Sequence, residues 1–165
     1  MNKEVNKINR VIFVALLLFL NACTKQPYLK ENSAFIMFKT PTFRYADMGF
    51  IYENSDEVKV EIYGNGQAMF SLEITENMAC MSRFECMGKA KFNETILGAA
   101  YPKSLVENIF RGKPIFKSQN LKRNRNGFTQ KIENSGKYNI DYRVLNNEII
   151  FHDTINAITI KVRKE

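Results

Sequence analysis

The stretch EVKVEIYGNGQAMFSLEIT, residues 57–75, decides the fold. Val58, Val60 and Ile62 alternate with Lys59, Glu61 and Tyr63. Beyond Gly64, Asn65 and Gly66, the residues Ala68, Phe70, Leu72 and Ile74 alternate with Gln67, Met69, Ser71 and Glu73. A side-chain period of two sends one set to a buried face and the other to water, and a glycine-bearing turn between two such arms marks a β-hairpin. Working outward, residues 34–39 and 44–54 read as two strands parted by Pro41. Residues 127–133, 138–145, 148–153 and 157–163 read as four more, separated by Asn134-Ser135-Gly136, Asn146-Asn147 and Asn156. The expectation is a mainly β, α+β domain of about eight antiparallel strands.

One region breaks the alternation. In YPKSLVENIFRGKPIF, residues 101–116, Ser104 and Glu107 have the spacing of a capping box, and Leu105, Val106, Ile109 and Phe110 share one helical face. Gly112 suits a left-handed cap and Pro114 forbids continuation. Residues 93–100 suggest a further helical turn or two, interrupted by Gly98. A helical insert between two runs of strands predicts a curved sheet whose concave side is covered by something apolar.

The chain opens on Lys3, Lys7 and Arg10, followed by an apolar run of ten residues, 11–20. As a helix that run spans roughly 15 Å, about half of a bilayer's hydrocarbon core, so it reads as a secretory signal rather than a membrane anchor. It ends in Leu20-Asn21-Ala22-Cys23, which resembles the lipobox of bacterial lipoproteins. That resemblance implies a signal peptide over residues 1–22, cleavage before Cys23, a diacylglyceryl thioether on Cys23 and acylation of the new amino terminus. In that class an Asp after the cysteine favours the inner membrane; Thr24 stands there and is compatible with the outer one.

The chain has three cysteines, so assigning Cys23 to lipid leaves Cys80 and Cys86 as a pair. An exported protein can keep them oxidised, and a disulfide would close a short loop worth roughly 2 kcal/mol. Free thiols are the alternative; a metal site lacks a ligand set, because the one histidine, His152, is far along the chain. The formal charge of the whole chain is +7 and becomes +5 once residues 1–22 are removed. Export makes anionic lipid headgroups or acidic envelope polymers, rather than nucleic acid, the expected counter-charges.

The order of elements resembles the LolA/LolB family of outer-membrane lipoprotein carriers and receptors. The likeness rests on EIYGNGQAMFSLEI, similar to that family's hairpin of a small-residue turn followed by Gly-Gln, and on SLVENIFRGKPI, similar to its lid helix ending in Gly-x-Pro. It covers roughly residues 33–163. It implies an unclosed half-barrel, a helical lid over an apolar cavity, and a division into signal peptide 1–22, lipidated tether 23–32 and domain 33–165. On this basis Val60, Ile62, Phe70, Leu72, Leu105, Val106, Ile109 and Phe110 are the candidate cavity and lid residues. The expected ligands are the acyl chains of lipoproteins or another membrane lipid. A periplasmic LolA-like carrier is the expected partner, and the protein would sit on the outer membrane facing the periplasm. In the receptor an exposed leucine at the hairpin tip is associated with delivering cargo to the bilayer; Asn65, between Gly64 and Gly66, takes that place here. Eleven Phe and six Met in residues 23–165 suit an adaptable apolar interior. The alternative is an assembly lipoprotein whose core is filled and whose surface docks an outer-membrane complex.

Enzymatic readings find little support. His152 lies in EIIFHD, where alternation sets it opposite in facing to Phe151, and Ser71, Ser82 and Ser104 lack a nucleophile-elbow context. Glu53, Asp56 and Glu57 read as solvated charges at a turn, and no glycine-rich loop follows a strand to cradle phosphate. No catalytic residue, metal, cofactor or nucleic-acid partner is expected. The basic stretch with Lys117, Lys122, Arg123, Arg125 and Lys131 reads as a solvated loop or as a contact with anionic lipid or an acidic partner.

Overall fold

The computed structural model describes residues 26–82 and 85–165. The expected signal peptide, Cys23 and Thr24 lie outside the described residues. The described residues form one antiparallel sheet of eleven strands: β1 (Lys30–Lys39), β2 (Arg44–Glu53), β3 (Val58–Gly64), β4 (Gln67–Ile74), β5 (Met78–Met81), β6 (Glu85–Gly88), β7 (Lys122–Asn124), β8 (Gly127–Asn134), β9 (Tyr138–Leu145), β10 (Glu148–Asp153) and β11 (Ile158–Lys164). Two helices, α1 (Lys89–Ile96) and α2 (Leu105–Arg111), interrupt the strands after β6.

The spatial order runs β6-β5-β4-β3-β2-β1-β11-β10-β9-β8-β7. Each wing is a meander of neighbouring hairpins, and the two wings join where β1 pairs with β11, Ala34 opposite Lys164 and Lys39 opposite Thr159. The sheet stays unclosed, with β6 and β7 as free edges. The fold class is therefore as expected, but the strand count is eleven rather than about eight. The additional strands β5, β6 and β7 have four, four and three residues, too few for a period of two to stand out. Strand β1 also opens at Lys30, inside the expected tether. The chain before it is held as well: Asn54 donates to the Gln26 carbonyl at 3.0 Å and the Leu29 amide donates to Glu53 at 2.9 Å.

The quoted hairpin turns at Asn65 and Gly66, both with positive φ (52° and 77°), the backbone pattern that suits the right-handed twist of a two-residue loop. Its register shifts between Ile62 and Tyr63, so that Ile62 pairs with Phe70 and Tyr63 with Ala68. Met69 is the extra residue of this bulge and is 57 % exposed. The bulge also corrects the alternation, since Ala68 faces solvent and only Phe70, Leu72 and Ile74 reach the core.

Two glycines let neighbouring strands approach closely. A Cβ on Gly49 would lie 2.0 Å from the Glu61 carbonyl oxygen, and one on Gly127 would lie 1.9 Å from that of Val144. Each sits in a strand where a neighbouring backbone passes too close for a side chain. The inward residues of both wings, among them Ala34, Ile36, Phe38, Ile51, Val60, Ile140, Phe151 and Ile160, then converge on one continuous core.

Candidate functional site

Helix α2 packs on the buried face of the sheet. Leu105, Val106, Ile109 and Phe110 are between 0 % and 4 % exposed, and Phe110 meets Phe38 of β1 edge to face at 6.1 Å between ring centroids. Val60, Ile62, Phe70 and Leu72 are equally buried on the sheet side. The structure thus gathers all eight candidate cavity residues into one apolar cluster.

The helix stops as its sequence demands. Gly112 takes φ 64°, its amide donates to Ile109 and the Lys113 amide donates to Asn108, the paired bonds of a left-handed terminus. The start differs from expectation. Ser104 makes no side-chain capping bond, and the Glu107 carboxylate that would complete the box is engaged elsewhere. It accepts from Lys89 Nζ at 2.7 Å and from Arg111 Nε at 3.1 Å. Helix α1 likewise begins at Lys89, four residues before the expected 93, and ends ahead of Gly98, whose φ is 76°.

A polar latch runs along the edge of α2. Arg111 donates to the Asn54 carbonyl at 2.9 Å and lies 3.6 Å from the Glu53 carboxylate, which is also 3.8 Å from Lys164. Glu53 and Glu57 are buried, not solvated as their sequence context suggests; Glu57 accepts from the Tyr28 hydroxyl, and Asp56 alone of the three is exposed. Arg111 Nη2 is buried without a hydrogen-bond partner. Burial pushes the Glu107 carboxyl up, but the bonds and positive charge of Lys89 and Arg111 together outweigh it and hold the group below the usual carboxylate range.

A second anchor fixes the segment between the helices. Tyr101 donates to Asp153 Oδ2 at 2.5 Å, and Asn156 Nδ2 donates to both at 2.9 Å. Burial first, and then the bond to Asp153, raise the Tyr101 phenol well above its ordinary value. Gln130, 1 % exposed, accepts from the Ile115 amide and donates to the carbonyls of Ile115 and Gln119, pinning the chain beyond α2. No spacing in the sequence marks Lys89, Tyr101 or Gln130, because each acts on a residue distant along the chain; Arg111 does stand four residues after Glu107, a helical pairing the sequence offers. The outward alternation of β4 does mark Met69.

The recesses on the described surface include four with volumes of about 850, 240, 600 and 480 Å3. The largest of these four is on the outer side of β3 to β6, lined by Lys59, Glu61, Ser71, Glu73 and the Cys80/Cys86 pair. Of the eight candidate cavity residues only Phe70 borders any of the four. Cys80 and Cys86 face each other across β5 and β6 and are joined, with an S–S distance of 2.03 Å. His152 is exposed on β10 and lies 3.1 Å from the Thr159 hydroxyl on the neighbouring strand. Among the described residues no group of three or more His, Cys, Asp or Glu side chains is placed to hold a metal, and no helix is long and apolar enough to cross a membrane. The hairpin tip, Gly64 to Gly66, is polar, and the Thr154 turn and Asn134 turn share its rim of the sheet. No family model and no curated protein matches this chain.

Proposed function

We propose that the chain is a lipid-anchored, non-enzymatic protein of the bacterial outer membrane, resembling LolB, that takes acyl chains of lipoproteins or other lipids between the concave sheet face and α2. The observation that carries this reading is the construction of α2 as a separable cover. One face is wholly apolar against the sheet, while its other edge is held by Glu53, Glu107, Lys89 and the Asn54 carbonyl. Apolar contact is non-directional and can be exchanged for an acyl chain at about 0.8 kcal/mol per buried methylene. The polar edge reseats the helix in one register afterwards. A periplasmic LolA-like carrier is the partner this reading implies.

A fluorescent acyl-chain probe tests it. The wild-type protein should bind the probe, and Ile109→Asp or Leu105→Asp should lose that binding while circular dichroism reports a retained sheet, since a charge on the apolar face is costly to bury. Absence of wild-type binding would rule the carrier out.

A second reading has its own support: the eight cluster residues are 0–4 % exposed, and α2 borders none of the four recesses. A filled core of that kind suits an assembly lipoprotein that docks an outer-membrane complex. Native mass spectrometry of protein purified gently from envelopes separates the two: stoichiometric lipid supports the carrier, and lipid-free protein supports the scaffold.

A further inference from the structure

We infer that the β7–β8 hairpin and the basic wing behind it form a docking surface for anionic phospholipid headgroups, which seats the protein on its own membrane. Residues 113–145 hold eight basic and two acidic residues, whereas residues 26–82 hold four basic and eight acidic. These two segments occupy opposite wings of the sheet, so the molecule is charge-polarised across it. Lys122, Arg123 and Asn124 are all exposed along the free edge β7, and Arg125 is exposed in the turn that follows. Among the described residues no ion pair involves Lys122, Arg123, Arg125, Lys131 or Arg143. Asp141, opposite Lys131 in register, is the acidic residue nearest along the pairing of β8 with β9.

The position of this hairpin selects the occupant. Strand pairing puts the Arg125 turn, the Asn146 turn, the Asp56 turn and the start of β1 on one rim of the sheet. The chain is fastened to that rim at Gln26 by Asn54 and Ser55. Gln26 stands three positions after Cys23, a reach of at most about 11 Å. On the lipid-anchor reading, on which this inference rests, the rim carrying Lys122, Arg123 and Arg125 is therefore held close to the headgroups. The acidic Asp56 turn lies on the other wing of the same rim, so an anionic surface attracts one wing and repels the other and sets the tilt of the body. A single-stranded nucleic acid would need exposed rings on which to stack; of the aromatic residues of the adjoining strands, Phe128 and Tyr142 are buried in the core, and Tyr138, half-buried at the opposite rim, packs on Tyr101 and Phe116.

Among the described residues all eleven strands, both helices and the core lie between Lys30 and Lys164, so a chain of residues 24–165 keeps this fold without the anchor. Sedimentation of that chain with phosphatidylglycerol vesicles should exceed sedimentation with phosphatidylcholine vesicles and should fall with added salt. The triple variant Lys122→Gln, Arg123→Gln, Arg125→Gln should weaken partitioning by roughly 100-fold. The variant Lys39→Gln, Arg44→Gln, exposed on the opposite rim of the other wing, should leave it within about twofold. Equal losses in the two variants, no preference for the anionic vesicles, or binding to a DNA oligonucleotide in place of vesicles would each overturn the inference. Because this chain lacks Cys23, the result is independent of whether Cys23 is acylated, which the intact mass of the envelope protein reads separately.

Discussion

Lys89 Nζ lies 2.7 Å from Glu107 Oε2, so the first residue of α1 and the middle of α2 are tied through the same carboxylate that receives Arg111. The Glu107 carboxyl is held below the usual carboxylate range, so the unfolded chain takes up its proton first as pH falls. The stability it supplies is complete above the ordinary glutamate value and is lost as pH drops through the lower folded value. Glu107→Gln should therefore melt below wild type at pH 7, with the gap narrowing toward pH 3. Thermal melts across that range measure it, and a gap constant with pH would contradict the coupling.

The anchor prediction concerns Cys23. Two or more acyl chains hold a protein on a bilayer where one chain is marginal, so Cys23→Ala should move the protein from the membrane pellet to the soluble fraction in high salt, which also removes any attraction by the basic wing. Continued sedimentation of the variant would refute acylation as the anchor.

Joining Cys80 to Cys86 closes a loop of sequence separation 6 at the edge of one wing. Replacing both by Ser should lower unfolding stability by about 1 to 3 kcal/mol without abolishing the fold, because β5 and β6 remain paired by backbone bonds. Urea titration of the double variant checks the size. Two alkylatable thiols in the non-reduced, denatured envelope protein would contradict the bridge.

Gly49→Ala probes the close approach of β2 and β3. Its Cβ would meet the Glu61 carbonyl oxygen at 2.0 Å, which is backbone and cannot swing aside. Strands β2 and β3 must separate to admit it, at a cost of about 1 to 3 kcal/mol or more. Gly88→Ala, where nothing lies within 4 Å, is the matched control and should be near neutral. A chemical denaturation pair decides between steric and generic glycine effects.

The long strands were legible because each alternates over six or more residues with a run of buried positions every second residue; β3 and β9 lie where their periodicity does. The short strand MACM offers no contrast between its two faces, and KRN is polar throughout, so neither carries a period. The apolar face of α2 could be read from its spacing, but its partners could not. Glu107 sits where a capping carboxylate belongs and was claimed by Lys89 instead, eighteen residues away. Glu53 and Glu57 looked like surface charges because the cations and hydroxyls that receive them, Arg111, Lys164 and Tyr28, come from remote segments.

The pairing of β1 with β11 has a consequence for how the molecule comes into being. The first and the final strand of the eleven meet at the centre of the sheet, so neither wing can be joined to the other until Ile158–Lys164 has left the ribosome or emerged from a translocation channel. Until then β1 presents one unsatisfied edge, and the growing chain can form only local hairpins. Such a chain stays threadable during synthesis and commits to its final shape in a single late step, slowed by the long span of sequence that this step must close.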